Sequence, residues 1–152
     1  MEVQEHMHSG GASFSLVIEP RHTVRRCVVR DLDAVGERAI GVATPLDAVQ
    51  LLLEHGEDVH TVFIGPERPE TPSYELVEFL TRNYPRVRRV LMGDADQVAD
   101  PWRAEASGGV HAMLETPCAS DAVREVVQRI SSLPPEPYLD EVFAPHRSDR
   151  TH

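Results

Sequence analysis

Carboxylates, hydroxyls, thiols and imidazoles at the ends of short apolar runs are where this chain could do chemistry, and four such places stand out. Glu19-Pro20 ends the run Phe14 to Ile18, Gly65-Pro66 ends Val59 to Ile64, Gly93-Asp94 ends Arg89 to Met92, and Thr116-Pro117 follows Val110 to Leu114. A divalent cation needs several converging oxygen ligands. Glu19 is a single carboxylate beside a proline, and Asp94, Asp96 and Asp100, which cluster after the fourth run, could join it in a divalent site. Loop aspartates ordinarily form turns and caps, so no metal is expected. The eight histidines show no zinc-type spacing to cysteine. His6 and His8 lie near the N-terminus, while His60 and His111 fall inside apolar runs and read as half-buried structural imidazoles. Cys27 sits on an apolar helical stripe and reads as a small core residue. Cys118 follows Thr116-Pro117 without a basic neighbour to activate its thiol. No catalytic residue and no cofactor is assigned.

The elements that must position these ends follow from periodicity. Phe14 to Ile18 is an apolar run of strand length, stopped by Glu19-Pro20. From Thr23 to about Val35, Val24, Cys27, Val28, Leu32 and Val35 recur three and four apart, which predicts an amphipathic helix with Arg25, Arg26 and Arg30 on its wet side. Gly36 stands where a helix stops. Ala39 to Ala43 is a second strand; Thr44 and Pro45 are an N-cap and a first-turn proline for a helix from Leu46 to His55, which stops at Gly56. Val59 to Ile64 is the third strand, Ser73 to Asn83 a helix with the stripe Leu76, Val77 and Leu80, and Arg89 to Met92 the fourth strand. A weaker helix spans Pro101 to Ala106, Val110 to Leu114 is the fifth strand, and Ser120 to Ile130 is the last helix, facing inward through Val123, Val126, Val127 and Ile130.

Strand and helix thus alternate across residues 14–130. This predicts an α/β fold: a doubly wound five-stranded parallel sheet of the flavodoxin-like kind, with helices on both faces. Its functional crevice lies at the carboxyl ends of the strands, where the four places above converge. Residues 1–13 are polar and read as an N-terminal arm; residues 131–152 begin with Pro134-Pro135-Glu136-Pro137 and read as an extended tail.

Composition narrows the function classes. A chain of 152 residues with 41% hydrophobic content makes one domain with short flanks. The formal charge of −10 argues against nucleic acid or an anionic membrane as partner. All fifteen basic residues are arginine, which excludes a P-loop ATPase and Schiff-base chemistry. Two distant cysteines make no disulfide framework, and no apolar run approaches the ~18 residues of a membrane span, so a cytoplasmic protein is expected.

With these elements in place, the stretch from Phe14 to Ile130 resembles the receiver domain of bacterial two-component response regulators. In that family an acidic pair follows the first strand, a phosphoacceptor aspartate ends the third, a Ser/Thr ends the fourth, and Lys-Pro follows the fifth. SLVIEP puts Glu19 and Pro20 at the acidic pair, and TVFIGPERP puts Gly65 at the aspartate, with Pro69 at the family's loop proline. RVLMGD puts Gly93 at the Ser/Thr, and SGGVHAMLETP puts Thr116 at the lysine, Pro117 at the proline and Met113 at the switch aromatic. The resemblance implies the fold and a signalling context. It does not bring the chemistry with it: a glycine cannot form an acyl phosphate, proline cannot ligate Mg²⁺, and neither Gly93 nor Thr116 supplies what the family uses to stabilise the phosphoryl oxygens.

What remains is a pseudo-receiver that works by protein–protein contact, as an adaptor, scaffold or dimerising regulator. The family's habit of pairing through its fourth helix, fifth strand and fifth helix points to a homodimer or partner surface holding Trp102, Arg103, His111 and Met113. Tyr138 and Phe143 in the apolar-acidic YLDEVF segment are further candidates. The cluster Arg86, Arg88 and Arg89 is either a solvated edge or an anchor for an acidic partner segment. The alternative is a small-molecule or anion sensor using the vacated crevice, where glycines open backbone space and helix N-termini attract anions. A flavodoxin-like enzyme using Cys118 or a histidine ranks below both.

Overall fold

Parallel strands covered on both faces are apolar almost continuously, and the runs at Phe14, Val59 and Arg89 have that character. The computed structural model describes residues 13–66, 74–94, 109–117 and 120–134. In chain order these hold β1 (Phe14–Ile18), α1 (His22–Ala34), β2 (Ala39–Val42), α2 (Pro45–His55) with a 3-10 turn at Gly56–Asp58, and β3 (Val59–Ile64). Then follow α3 (Tyr74–Asn83), β4 (Arg88–Gly93), β5 (Ala112–Glu115) and α4 (Ser120–Ser132). The expected Pro101–Ala106 helix, the arm through residue 12 and the tail from residue 135 lie outside the described residues, as do Trp102, Arg103, Cys118, Tyr138 and Phe143.

All four strand pairings are parallel, in the order β2-β1-β3-β4-β5. This is the doubly wound sheet that the alternation predicts, and its order reverses between β1 and β3, the switch point of such folds. Leu16, Ile18, Val62, Ile64 and Leu91 point to one layer, where Leu52 of α2 and Leu76 and Leu80 of α3 cover them. Val17, Phe63, Val90, Met92 and Leu114 point to the other, against Val28 and Leu32 of α1 and Val123 and Val126 of α4. Among the described residues, no helix is long and apolar enough to cross a membrane.

The caps behave as their residue types dictate. Thr44 Oγ1 accepts the Asp47 N–H at 3.1 Å, and Pro45 opens α2. Gly36 ends α1 at φ +89°, a conformation costly for any side chain, with Glu37 N–H donating back to the Leu32 carbonyl at 2.9 Å. Gly56 ends α2 differently: its φ of −57° is right-handed, and the helix tightens into the 3-10 turn.

Four expectations need correction. The fifth strand begins at Ala112, because the Arg89 N–H donates to the His111 ring (Nδ1, 3.0 Å) in place of a backbone carbonyl. Cys27 is only partly buried; α1 turns Val28, Asp31 and Leu32 inward instead, and Arg30 Nη2 contacts the thiol at 3.6 Å. Arg25 is half-buried and donates to the Glu19 carbonyl at 2.7 Å, so it is no wet-side residue. Arg89 is no solvated edge either: it is 4% exposed and donates to the Val87 carbonyl at 2.9 Å.

Candidate functional site

The sheet brings the strand-end residues into one row. Gly65 N–H donates to the Ile18 carbonyl at 2.8 Å, which fixes the end of β3 beside the end of β1. Glu19 N–H reaches the Val42 carbonyl at 3.0 Å, and Thr116 N–H reaches the Gly93 carbonyl at 2.7 Å. Glu19, Gly65, Gly93 and Thr116 are all buried there, while Pro20 and Asp94 are exposed. The Thr116–Pro117 peptide is cis. Thr116 is 1% exposed, and its hydroxyl has no hydrogen-bond partner among the described residues.

Glu19 is the centre of this row. Its side chain is fully buried, and a buried carboxylate is tolerable only when paired and hydrogen-bonded. Arg21 supplies both: its backbone N–H donates to Oε2 at 3.0 Å, its Nε to the same oxygen at 2.8 Å, and its Nη2 to Oε1 at 3.2 Å. The hydrogen bond to Glu19 raises the Arg21 guanidinium above its ordinary value; partial burial opposes this, and the charges of Glu19 and Asp94 add to it. The carboxylate lies over Gly65. A Cβ at residue 65 would stand 2.3 Å from Glu19 Oε1 and 3.1 Å from its Cδ. Residue 65 must therefore be glycine while Glu19 stays where it is. The sequence alone presents Glu19 as a lone crevice carboxylate; in the structure it is a clamped one, its charge paired with that of Arg21. Among the described residues, no three His, Cys, Asp or Glu side chains are grouped to hold a metal ion.

Of the remaining candidates, His111 and Met113 are among the described residues. His111 and Met113 lie half-buried on and before β5, where Met113 packs against the α2–α3 layer. Three surface hollows among the described residues are lined by residues at the amino ends of the strands, of α1, and of β5 with α4; none of the three includes Glu19, Gly65, Gly93 or Thr116. Arg21 and Arg25 also belong to the site, although neither stands at a strand end. Their signal was two arginines placed two and six residues after a strand-ending glutamate.

At the opposite end of the sheet, a cavity of about 420 Å³ is lined by Ser15, Glu37, His60, Arg86 and Arg88. His60 Nδ1 lies 2.9 Å from Thr61 Oγ1, and Nε2 lies 3.3 Å from Glu37 Oε1. Burial holds the His60 imidazole below its ordinary value of 6.5, with Glu37 pulling the other way. A depressed folded value favours the neutral ring. Its share of stability is therefore complete above the unfolded value and is lost as pH falls through the lower folded one. Between pH ~7.5 and pH ~5.5 the wild-type melting temperature should drop further than that of His60→Gln. An equal drop in both would show that this imidazole does not contribute.

Solved structures with this architecture include response regulator receiver domains. That of Methylobacillus flagellatus superposes with a TM-score of 0.64 at 21% identity, covering 78% of this chain and 98% of that one. The chemotaxis response regulator CheY4 of Vibrio cholerae gives 0.65 at 14%, covering 78% and 98%. The fold is that of a CheY-like receiver domain. An uncharacterized protein from Neptuniibacter caesariensis has a TM-score of 0.67 at 21% identity, with 78% and 86% covered. No family model and no curated protein matches the chain. In a receiver fold the row from Glu19 to Thr116 occupies the carboxyl ends of β1, β3, β4 and β5, which is where ligands of doubly wound sheets bind.

Proposed function

We propose that this chain is a receiver-like signalling module that works without phosphoryl transfer and acts through contact with other proteins, as an adaptor or a dimerising regulator in the cytoplasm. Residues 14–130 form the module in this reading, with α4 running two residues further, to Ser132, than the expected boundary; the arm 1–13 and the remainder of the tail through residue 152 flank it, and it is not an enzyme. The observation that carries the reading is the seating of Glu19 over Gly65, 2.3 Å from where a Cβ would be. The phosphoacceptor position has no nucleophile, and the room a nucleophile would need is taken by a carboxylate already neutralised by Arg21. Pro20, Gly93 and Thr116 then complete a degenerate site. With that crevice closed to chemistry, the exterior carries the function, and His111 and Met113 with Trp102, Arg103, Tyr138 and Phe143 are the candidate contact residues.

A second reading, an anion or small molecule bound at the crevice, is favoured by the buried Thr116 hydroxyl, which has no hydrogen-bond partner among the described residues. Glu19 counts against it, since its side chain, paired with Arg21, fills the space over Gly65 that a ligand would enter. Phosphoryl transfer decides the main reading. The full chain incubated with acetyl phosphate and Mg²⁺, beside a phosphorylatable receiver as control, should show no phosphoryl adduct by intact mass. A stable aspartyl phosphate would overturn it.

A further inference from the structure

β2 is an outer strand of the sheet, and its only pairing among the described residues is with β1. The carbonyls of Arg38 and Val42 accept from Ser15 N–H at 2.8 Å and Glu19 N–H at 3.0 Å, so residues 38, 40 and 42 turn their backbone groups inward. In a strand the N–H and C=O of one residue point the same way and successive residues alternate, so Ala39 and Gly41 direct theirs to the open side. Such an edge is a template for another strand. Beside Gly41 opens a hollow of about 670 Å³ on α1, lined by His22, Arg25, Arg26, Arg30 and Gly41, with Asp33 the one acidic residue of its lining among the described residues. Arg26 and Arg30 are exposed. In a chain of formal charge −10 this is a local reversal of sign. The stem of Arg25 lies over Gly41, its Cγ 2.9 Å from where a Cβ would stand. An incoming strand therefore meets no side chain at residue 41 and finds guanidinium groups beside it.

We propose that the β2 edge and the arginines of α1 form a docking site for an extended acidic segment of a partner protein. The segment adds as a sixth strand, pairing its backbone with Ala39 and Gly41 while its carboxylates meet Arg26 and Arg30. Charge decides the occupant. Two copies joined β2 to β2 would set one row of arginines against another, and like charges across an interface cost affinity. Nucleic acid is disfavoured by the charge of the whole chain. The inference rests on the contact-based function proposed above. The acetyl phosphate assay bears on that function alone, and the assay below on this edge alone.

The probe is a capped, fluorescein-labelled hexapeptide of alternating valine and glutamate, with the valine–lysine peptide as control, titrated into the full ¹⁵N-labelled chain. The glutamate peptide should shift the amides of Ala39 and Gly41 most and bind more weakly as salt is raised. The lysine peptide should not bind. Ala39→Pro removes one outward donor at the first residue of an edge strand, where proline is tolerated, and should weaken binding about tenfold. Arg26→Glu with Arg30→Glu, both on the surface, should weaken it at least as much at unchanged melting temperature, and keeps the test decisive if the proline variant misfolds. Shifts centred elsewhere, unchanged affinity in the arginine variant, or tighter binding of a single-stranded oligonucleotide would overturn the proposal. So would a dimer that Ala39→Pro abolishes, which would make the occupant a second copy. Movement of the β2 amides on Asp140→Arg with Glu141→Arg in the absence of peptide would also overturn it, because the occupant would then be the chain's own tail.

Discussion

Replacing Gly65 by aspartate should destabilise the protein severely and still leave it unable to accept a phosphoryl group. The new Cβ falls 2.3 Å from Glu19 Oε1, where ordinary contacts begin at about 3.4 Å. Glu19 cannot step aside cheaply: its side chain is fully buried and takes three hydrogen bonds from Arg21. Overpacking alone costs about 1–3 kcal/mol. A second carboxylate beside the first adds repulsion where water is excluded, so a total loss of about 3–5 kcal/mol is expected. Urea unfolding of wild type, Gly65→Asp, Glu19→Ala and the double variant measures this. Glu19→Ala opens the space and leaves Arg21 a carboxylate at residue 65 to pair with, so the double variant should recover more than half of what Gly65→Asp loses. That coupling is the signature of two residues competing for one volume. If Gly65→Asp is as stable as wild type, Glu19 does not fill the site, and the proposed function loses the observation that carries it. Should the double variant take a phosphoryl group from acetyl phosphate, Glu19 is shown to be the block.

Much of this arrangement is legible in the residues, for a physical reason. A parallel sheet covered on both faces needs apolar runs separated by amphipathic helices, and runs such as VHTVFI state their role without help from distant residues. Thr44-Pro45 and Gly36 state theirs through cap chemistry. The positions of Glu19, Gly65, Gly93 and Thr116 were readable because strand ends are local features. What Glu19 does there was not, because it depends on how Arg21 and Arg25 fold back, and long side chains choose partners in three dimensions. The same holds for Asp31, a charge turned to the inside of α1 where hydropathy would place Cys27. The start of β5 was misread because a histidine ring takes the hydrogen bond that a backbone carbonyl ordinarily takes.

Arg89 shows how far such a reading can mislead, and its removal should be the other large effect. Three arginines around the start of the fourth apolar run look like one wet cluster, yet Arg89 is 4% exposed while Arg86 is exposed. Arg89 Nη1 donates to the carbonyls of Val87 at 2.9 Å and Pro85 at 3.4 Å, and Nε donates to the carbonyl of Gly109. Its backbone N–H meets His111 Nδ1 at 3.0 Å, and its carbonyl accepts His111 N–H at 2.8 Å. One side chain thus ties the turn before β4 to the residues that lead into β5. Arg89→Ala strands those carbonyls without a donor and removes the buried stem, so a loss of about 3–4 kcal/mol is expected, against about 0.5 kcal/mol or less for Arg86→Ala. Arg89→Lys should recover only part, because an ammonium cannot reproduce the guanidinium fork. The consequence for function follows from position: β5 and its approach carry His111 and Met113, so hydrogen exchange at Ala112 to Glu115 should accelerate in Arg89→Ala before global unfolding does. If the proposed contact residues His111 and Met113 meet a partner there, its capture should fall with it. If Arg89→Ala and Arg86→Ala unfold at the same urea concentration, the tie is not made, and β5 is held by its pairing with β4 alone.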